Sequence, residues 1–378
     1  MPVPGLDESV VAFVPDPMPA DLPFSAAVIR VLAEAENALG RLEGATGRLV
    51  NPYLIGQPLL RREAILSSRI EGTFTTPEQL ALLEAGAPTA DDDHRADTLE
   101  VLNYIRAMAR GLELLKNLPV SLRLIKDLHG VLLLGVRGGK DRPGEIRNVQ
   151  NYIGGRLDSI KEARFVPPPV AEMNEALRRW ESDLHLEPDP LPLLVRVALA
   201  HYQFEAIHPF RDGNGRLGRL LIPLLLCERK RLTEPVLYMS AYFDRHQDEY
   251  KDGLLRVSTH GDWLGWLTFF LRGAVESAEE SLQLATDLLG LRDQYHEAVR
   301  TARSSGLLAR LIDHLFQQPT LTIAQTAEIS DVTPAAAKNN LNKLVDLGII
   351  VEATGRTRGQ VFVAKGILAF VGREAGKG

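Results

Sequence analysis

Twelve polar and glycine-rich residues stand between two apolar helical runs near the middle of the chain. These residues, 208–219, read HPFRDGNGRLGR, and the run at 217–226 that overlaps and continues them is almost wholly apolar. A helix that is apolar on all sides is buried, so this run predicts a central helix that places the polar segment next to the core. Because Pro209 biases the residue before it away from helix, we expect His208 at the entrance of a loop between two helices.

The residue types in this segment suit chemistry on phosphate groups. His208 is a base that titrates near neutral pH, and Asp212 offers a hard oxygen ligand for Mg²⁺. The Gly-Asn-Gly run at 213–215 lets the backbone turn and point N–H groups at an anion, and the start of the next helix adds more. Arg216 and Arg219 are three positions apart and are predicted to share one helical face. Each feature is ordinary alone; their combination in this order indicates a functional site.

The whole segment resembles the motif of the Fic family, His-Pro-Phe-x-(Asp/Glu)-Gly-Asn-Gly-Arg-x-x-Arg, and matches every specified position. Most characterised members of that family transfer AMP from ATP to a hydroxyl side chain of a target protein. The resemblance therefore implies a protein adenylyltransferase that uses ATP and Mg²⁺, with His208 as catalytic base and Asp212 as metal ligand. The nucleotide-binding residues that it implies are Gly213, Asn214, Gly215, Arg216, Leu217, Gly218 and Arg219.

Composition places the chain among ordinary soluble proteins. Its 378 residues have room for two or three domains, its net charge is −6, and it has one cysteine, Cys227. The negative charge argues against binding nucleic acid with the whole surface, and a single cysteine excludes an intrachain disulfide bond. Neither a secretion signal nor a membrane-spanning run is visible, so we expect a cytoplasmic protein without membrane contact.

Helical periodicity dominates the chain outside an extended, proline-rich arm at 1–23. The predicted fold is mainly α: a Fic-type helical core with a β-hairpin flap, plus a C-terminal winged helix-turn-helix domain. Shorter helices are expected after Pro77 and from Ser121. Longer helices are predicted over about 24–42, 59–71, 91–115, 169–186, 191–206, 217–226 and 263–303.

Residues 136–170 hold glycines, prolines and short β-like runs, which predict a loop and a β-hairpin. A plain surface loop is the alternative, although so long a segment without helix is often functional. The Fic resemblance implies a flap here that covers the nucleotide and aligns the target by strand pairing. Tyr250 is a candidate to pack near the adenine, with a core tyrosine as the alternative. The implied flap positions beside the nucleotide are Asn151, Tyr152, Ile153 and Gly154.

The second predicted helix ends in the sequence SSRIEG at 67–72. Its last turn contains Glu71, where the helix dipole disfavours negative charge, and a local rule broken without visible gain points to function. The Fic resemblance implies an inhibitory motif, Ser/Thr-x-x-x-Glu-(Gly/Asn), matched by Ser67, Glu71 and Gly72. In such proteins the glutamate pairs with the second motif arginine, here Arg219. In some relatives it also supports removal of AMP, so both directions remain open.

The C-terminal residues, 303–378, predict three helices and a hairpin, the pattern of a winged helix. They contain nine Lys or Arg and six Asp or Glu, and contact with DNA or with protein is open. The residues placed to meet phosphate are Lys338, Lys343, Arg356 and Arg358. The predicted domains are 1–90 (arm and inhibitory-helix region), 91–302 (catalytic core) and 303–378 (winged helix). A homodimer is left open.

Two alternative functions remain at this point. Within enzymes, some Fic relatives act as phosphotransferases or use another diphosphate donor. From another class, the chain is a DNA-binding regulator whose Fic core only senses nucleotide. The intact His208 argues against the regulator, since sensing needs no base.

Overall fold

A computed structural model describes residues 1–4, 10–47, 51–87, 92–136, 142–154, 159–187, 189–301 and 306–373. The mainly α fold predicted from the sequence is confirmed. The helices are α1 (Ala26–Thr46), α2 (Tyr53–Ile70), α3 (Pro77–Glu84), α4 (Asp92–Leu115), α5 (Leu122–Leu132), α6 (Val170–Leu184), α7 (Leu193–Ile207), α8 (Asn214–Glu228), α9 (Ser240–Arg245), α10 (Gln247–His260), α11 (Trp263–Thr301), α12 (Gly306–Gln317), α13 (Ile323–Ser330), α14 (Pro334–Asp346) and α15 (Lys365–Val371). The strands are β1 (Thr320–Thr322), β2 (Val351–Glu352) and β3 (Val361–Val363).

Helix α8 lies at the centre of the fold. Its residues from Arg216 to Leu226 are all buried, as the apolar run predicted. Neighbouring helices α2, α4, α5 and α7 pack around it. The polar motif at its N-terminal end is thereby held against the core, where small changes in packing are felt.

Helix α2 begins at Tyr53, six positions before the start predicted at about 59, and it contains Pro58. Its first turns bury Leu54 and Ile55, so tertiary packing outweighs the hydrogen bond that Pro58 cannot donate. The helix ends at Ile70, and Gly72 follows with φ of 84° in the left-handed region. This left-handed backbone favours glycine, which is common directly after the end of a helix.

The flap region carries less strand structure than a full β-hairpin. In its described part, a single antiparallel bridge joins Ile153 and Phe165, and its residues 155–158 lie outside the described residues. The Phe13 N–H of the arm donates to the Val166 carbonyl at 2.8 Å. The extended arm therefore runs beside the flap on the side opposite Ile153.

The C-terminal region contains α12, α13 and α14 and a three-stranded antiparallel sheet in the order β1-β3-β2. The sequence prediction included β2 and β3 but neither β1 nor α15. The ammonium of Lys338 lies 4.7 Å from the Phe362 ring centre and donates to Gln360 at 2.6 Å. This lysine is used inside the domain, which weakens its predicted contact with phosphate. Lys343, Arg356 and Arg358 are exposed.

One hydrophobic core cluster extends from Met18 to Ile367 and so includes residues from all three predicted domains. Both α12 and α15 pack against α2. The division at 90 and 302 therefore remains a prediction. No helix within the described ranges is long and apolar enough to cross a membrane.

A chain that ends at residue 302 should be less stable than the full chain. It would lose the buried side chains of Leu308, Leu311 and Ile312, each worth about 1.5–3 kcal/mol of burial, and would expose part of α2. We expect the melting temperature followed by circular dichroism to fall by about 5 °C or more. A chain ending at residue 373 is the control. Equal melting of the 302 truncation and the full chain would show that the C-terminal region is an independent unit.

Candidate active site

The side chain of Asn214, the first residue of α8, holds the loop between α7 and α8. Asn214 Nδ2 donates to the Phe210 carbonyl at 2.8 Å, and its Oδ1 accepts from the Phe210 N–H at 2.9 Å. Gly213 precedes α8 with φ of 76°, a left-handed conformation that favours glycine. The Asn214 side chain is thus a loop brace, and the backbone N–H groups at the start of α8 are what this turn presents to an anion.

His129 braces the same loop from α5. Its Nδ1 accepts from the Gly144 N–H at 2.8 Å, so its Nε2 carries the proton and donates to the Asp212 carbonyl at 3.0 Å. Its ring stacks on Phe210 with centroids 3.8 Å apart. Burial lowers the pKa of His129 to about 4, which keeps it neutral in this role. Sequence reasoning missed it, because a helical LHG triplet carries no motif signal.

His208 caps α7 in a left-handed conformation, with φ of 49° and ψ of 62°. Few residues other than glycine adopt this region, and its N–H donates to the Phe204 carbonyl at 3.0 Å. Burial and then the positive charge of Arg147 lower its pKa to about 4, while the Glu205 carbonyl and Glu71 act in the opposite direction. The ordinary value of about 6.5 assumed from sequence is therefore wrong for this state, and the imidazole is neutral at pH 7.

Asp212 lies at the outer side of the loop with its side chain 49% exposed. Its Oδ1 accepts from the Gly213 N–H at 2.6 Å, and its Oδ2 lies 3.4 Å from Arg216 Nη2. No cluster of three or more His, Cys, Asp or Glu suited to a metal occurs in the part of the chain that is described. Mg²⁺ usually takes one or two carboxylates and completes its shell with water and substrate phosphates, so a single accessible aspartate fits this ion.

Arg216 and Arg219 engage different helices. Arg216 is buried and its Nη1 donates to Glu100 Oε2 on α4 at 2.8 Å. Arg219 bonds to α2 instead, so the two guanidinium groups have different partners although both arginines lie on α8, three positions apart. Glu100, 116 positions away from Arg216 in sequence, was missed because no local pattern connects them.

Arg219 closes the C-terminal end of α2. Its Nε donates to Ser67 Oγ at 2.9 Å, and its Nη2 donates to the Ser67 carbonyl at 2.8 Å and to Glu71 Oε1 at 2.6 Å. The arginine supplies donors and positive charge where a helix has unpaired carbonyls and a negative dipole end. Burial is the largest single effect and would raise the pKa of Glu71, but the charge and hydrogen bond of Arg219, with smaller contributions from Arg216 and His208, together lower it. The structure thus brings together the residues of the two predicted motifs.

A cavity of about 360 Å³ opens between α2, the flap, α7, α8 and α10. This volume lies in the range of small-molecule sites. Charged side chains, among them Glu71, Glu205 and Arg219, line it together with leucines and aromatic rings. The lining residues are Ile70, Glu71, Ile153, Gly154, Arg164, Phe165, Tyr202, Glu205, Ala206, His208, Gly215, Arg219, Tyr250, Lys251, Leu254, Leu255 and Ser258.

Some predicted site residues do not line this cavity. Asn151 donates its side-chain amide to the Phe210 carbonyl at 3.0 Å and so ties the flap to the motif loop. The Leu217 side chain is fully buried in the core and does not line the cavity, so its nucleotide contact stays a prediction. Tyr250 is both a lining residue and a core residue: its hydroxyl bonds His201 Nε2 at 2.8 Å, and its ring stacks on Phe243. Tyr152, about one third exposed, also lies outside the lining.

Two motif glycines leave room for carboxylates. A Cβ at Gly215 would lie 2.3 Å from Glu71 Oε1, and a Cβ at Gly218 would lie 2.2 Å from Glu205 Oε1. Any larger residue at 215 would therefore press on the ion pair between Glu71 and Arg219.

Glu205 was not among the site residues predicted from the sequence. Burial raises its pKa to about 7. A glutamate one turn before His208 on an apolar helix was the available signal.

Two sequence-family models match the segments of the chain that contain this site. The sequence model described as Fic/DOC family N-terminal matches residues 29–113, and the Fic/DOC family model matches residues 119–226. A protein named Protein adenylyltransferase Fic from Drosophila grimshawi is 30% identical over 259 residues, which cover 66% of this chain and 47% of that protein. A protein of the same name from Culex quinquefasciatus is 34% identical over 170 residues, which cover 45% of this chain and 30% of that protein. The chain thus spans less than half the length of these relatives.

Solved structures show the same fold. A Fic family protein from Desulfovibrio desulfuricans G20 superposes with a TM-score of 0.58 at 22% identity, covering 92% of this chain and 98% of the other. Fic-1 from C. elegans superposes with a TM-score of 0.51 at 22% identity, covering 69% and 74% of the two chains. The two family models together match more than half of the sequence, and the protein belongs to the Fic/DOC family.

Proposed function

We propose that this protein transfers AMP from ATP to a Tyr, Ser or Thr hydroxyl of a target protein. The observation that carries the proposal is the convergence of His208, Gly215, Arg219 and the flap residue Ile153 on one cavity. A base, an anion-binding helix start and a cation meet there beside an apolar space suited to a nucleobase. The similarity to proteins named as adenylyltransferases supports the same activity.

The reaction is a displacement at the α-phosphate of ATP. The target hydroxyl oxygen forms a bond to the α-phosphorus as the bond to the β-phosphate oxygen breaks, and pyrophosphate leaves. His208, neutral at pH 7, takes the proton of the hydroxyl. Most of the catalysis is positioning and charge stabilisation, supplied by the N–H groups at the start of α8 and by Arg219.

Mg²⁺ fits this proposal through Asp212, whose side chain is accessible beside the start of α8. Asp212 would hold the ion, which would supply positive charge to the phosphates of bound ATP. Arg219 is proposed to bind the outer phosphate once it is released from α2. Arg216 requires release from Glu100 before it takes the role in outer-phosphate binding that the sequence predicted.

The resting state is proposed to be inhibited. Glu71 holds Arg219 at 2.6 Å, so the arginine is turned away from the phosphate, and the carboxylate adds like-charge repulsion to any phosphate that approaches. Arg219 is 2% exposed and Glu71 38% exposed, so the pair is stronger than a surface pair, which contributes about 0–1 kcal/mol. ATP then binds with its α-phosphate misaligned for attack.

The proposal is tested with ATP labelled on either the α- or the γ-phosphate, incubated with the Glu71→Gly variant and a protein extract. We expect protein-bound label from α-labelled ATP only, absent when His208 is also replaced by alanine. Label from γ-labelled ATP would instead indicate phosphotransfer. No protein-bound label from either nucleotide would contradict group transfer from ATP.

Asp212→Ala should weaken ATP binding only when Mg²⁺ is present, because the one carboxylate proposed to hold the ion is removed. Isothermal titration with and without Mg²⁺ measures this. Asp287→Ala is the control, an aspartate of α11 whose partner is Arg373 and which does not line the cavity. If Mg²⁺ raises the ATP affinity of Asp212→Ala as much as that of the unaltered chain, Asp212 is not the metal ligand.

A further inference from the structure

Arg147 is a buried cation whose partners are all backbone carbonyls. It is 2% exposed, and no ion pair with a carboxylate is found for it among the described residues. Its Nε donates to the His208 carbonyl at 2.9 Å, its Nη1 to Val149 at 3.0 Å and its Nη2 to Pro168 at 2.5 Å. A buried charge without a counterion is costly, which suggests that the arrangement has a use beyond stability.

The three carbonyls belong to the two ends of the flap and to the proposed base. Val149 and Pro168 stand on either side of the flap, outside the bridge between Ile153 and Phe165. The third carbonyl belongs to His208, whose own backbone is in the left-handed region. Arg147 therefore bonds both ends of the flap and the strained peptide of the proposed base.

The main chain adds to this connection. The Arg147 N–H donates to the Pro209 carbonyl at 2.9 Å, so residues 147 and 209 are joined directly. Only a guanidinium has a rigid planar fork with donors enough to serve three separate carbonyls. Lysine at this position would keep the charge but has a single nitrogen, which cannot reach all three.

We propose that Arg147 is a positioning residue that sets the flap and the His208 imidazole in a fixed relation for transfer to the target protein. This inference rests on the proposed function. Arg147 does not line the cavity, so it acts through the flap and the base and not by contact with the nucleotide. Misplacement of about 1 Å between a base and its substrate lowers a rate by up to about a hundredfold.

The charge of Arg147 has a second consequence. Burial lowers the pKa of His208. Of the groups that face it, Arg147 also lowers this pKa, while Glu71 from α2 and the Glu205 carbonyl on α7 raise it. Loss of the positive charge at 147 should raise the pKa of His208. A general base works when neutral, so the acid limb of the pH–rate profile should then move to higher pH.

The test uses Arg147→Lys and Arg147→Met in the full chain carrying Glu71→Gly. Transfer of AMP is measured against pH, MgATP binding by titration, and amide exchange at Ile153 and Phe165 by mass spectrometry. For Arg147→Lys we expect about tenfold slower transfer, nearly unchanged MgATP affinity and faster exchange at both amides. Because lysine keeps the positive charge, the acid limb of its pH–rate profile should stay at the same pH. For Arg147→Met we expect the same slower transfer and faster amide exchange, and in addition an acid limb of the pH–rate profile at higher pH.

Arg196 provides the matched control, since it is equally buried but paired with Asp189, away from the cavity. Arg196→Lys should leave exchange in the flap and the pH profile unchanged. The proposal is overturned if flap exchange and transfer in Arg147→Lys equal those with Arg147 intact, or if MgATP affinity falls in parallel with transfer. If Arg147→Met does not fold, Arg147→Lys carries the test. If Glu71→Gly alone transfers no AMP, the proposed function fails, and the exchange measurement still decides whether Arg147 fixes the flap.

Discussion

Glu71→Gly is expected to raise AMP transfer about tenfold or more, most simply measured as self-modification. The change removes the carboxylate that holds Arg219 at 2.6 Å and that repels phosphate. A tenfold gain corresponds to about 1.4 kcal/mol of lost inhibitory interaction, a modest demand on a pair whose arginine is almost fully buried. Incorporation of label from α-labelled ATP gives the rate.

The control for this prediction lies on the same helix end. Arg69 of α2 donates to Asp244 with Nε at 3.1 Å from Oδ1, a contact that does not involve Arg219. Asp244→Asn should weaken the attachment of α2 without releasing Arg219, and we expect no gain in transfer. Equal gains from Asp244→Asn and Glu71→Gly would mean that general loosening of α2, not loss of the carboxylate, activates the protein.

His208→Ala, made together with Glu71→Gly, is expected to lower transfer by on the order of 10²–10⁴-fold while MgATP still binds. The imidazole is the group proposed to take the proton of the target hydroxyl, and alanine leaves no base there. His129→Ala is a contrasting variant, because His129 braces the Asp212 carbonyl and has no proposed proton to move. Near-normal transfer by His208→Ala would remove His208 from the mechanism.

The same base predicts a pH profile. Because burial and Arg147 lower the pKa of His208 to about 4, the imidazole is neutral at pH 8 and at pH 6. Transfer by Glu71→Gly should therefore change little between these values. An ordinary histidine with a pKa of ~6.5 would lose most of its activity over the same interval, and that result would show that the base is exposed in the working state.

The features predictable from sequence are those encoded by local spacing. Helical periodicity placed most helices because it reflects one buried face, and the motif at 208–219 could be read because its residues are neighbours in the chain. Helix α2 began earlier than predicted, since burial of Leu54 and Ile55 compensates for Pro58. The bridge at Ile153 replaced a longer hairpin in the described part of the flap.

The features that could not be predicted depend on contacts between distant segments. Nothing near Arg216 in sequence indicates Glu100 as its partner, and nothing near His208 indicates that Arg147 holds its carbonyl. The pKa of His208 depends on burial and on that distant charge, so the ordinary value misled. Lys338 looked free in a basic segment but packs on Phe362, a contact that only the folded sheet creates.

The central claim, that an ion pair between Glu71 and Arg219 restrains AMP transfer, is tested most directly by a double-mutant cycle. AMP incorporation is measured for the unaltered chain, Glu71→Gly, Arg219→Ala and the double variant under one set of conditions. Since Arg219 is both the inhibitory partner and the proposed phosphate ligand, the two changes should be strongly non-additive. We predict that the gain from Glu71→Gly disappears when Arg219 is absent; an equal gain with and without Arg219 would contradict the claim.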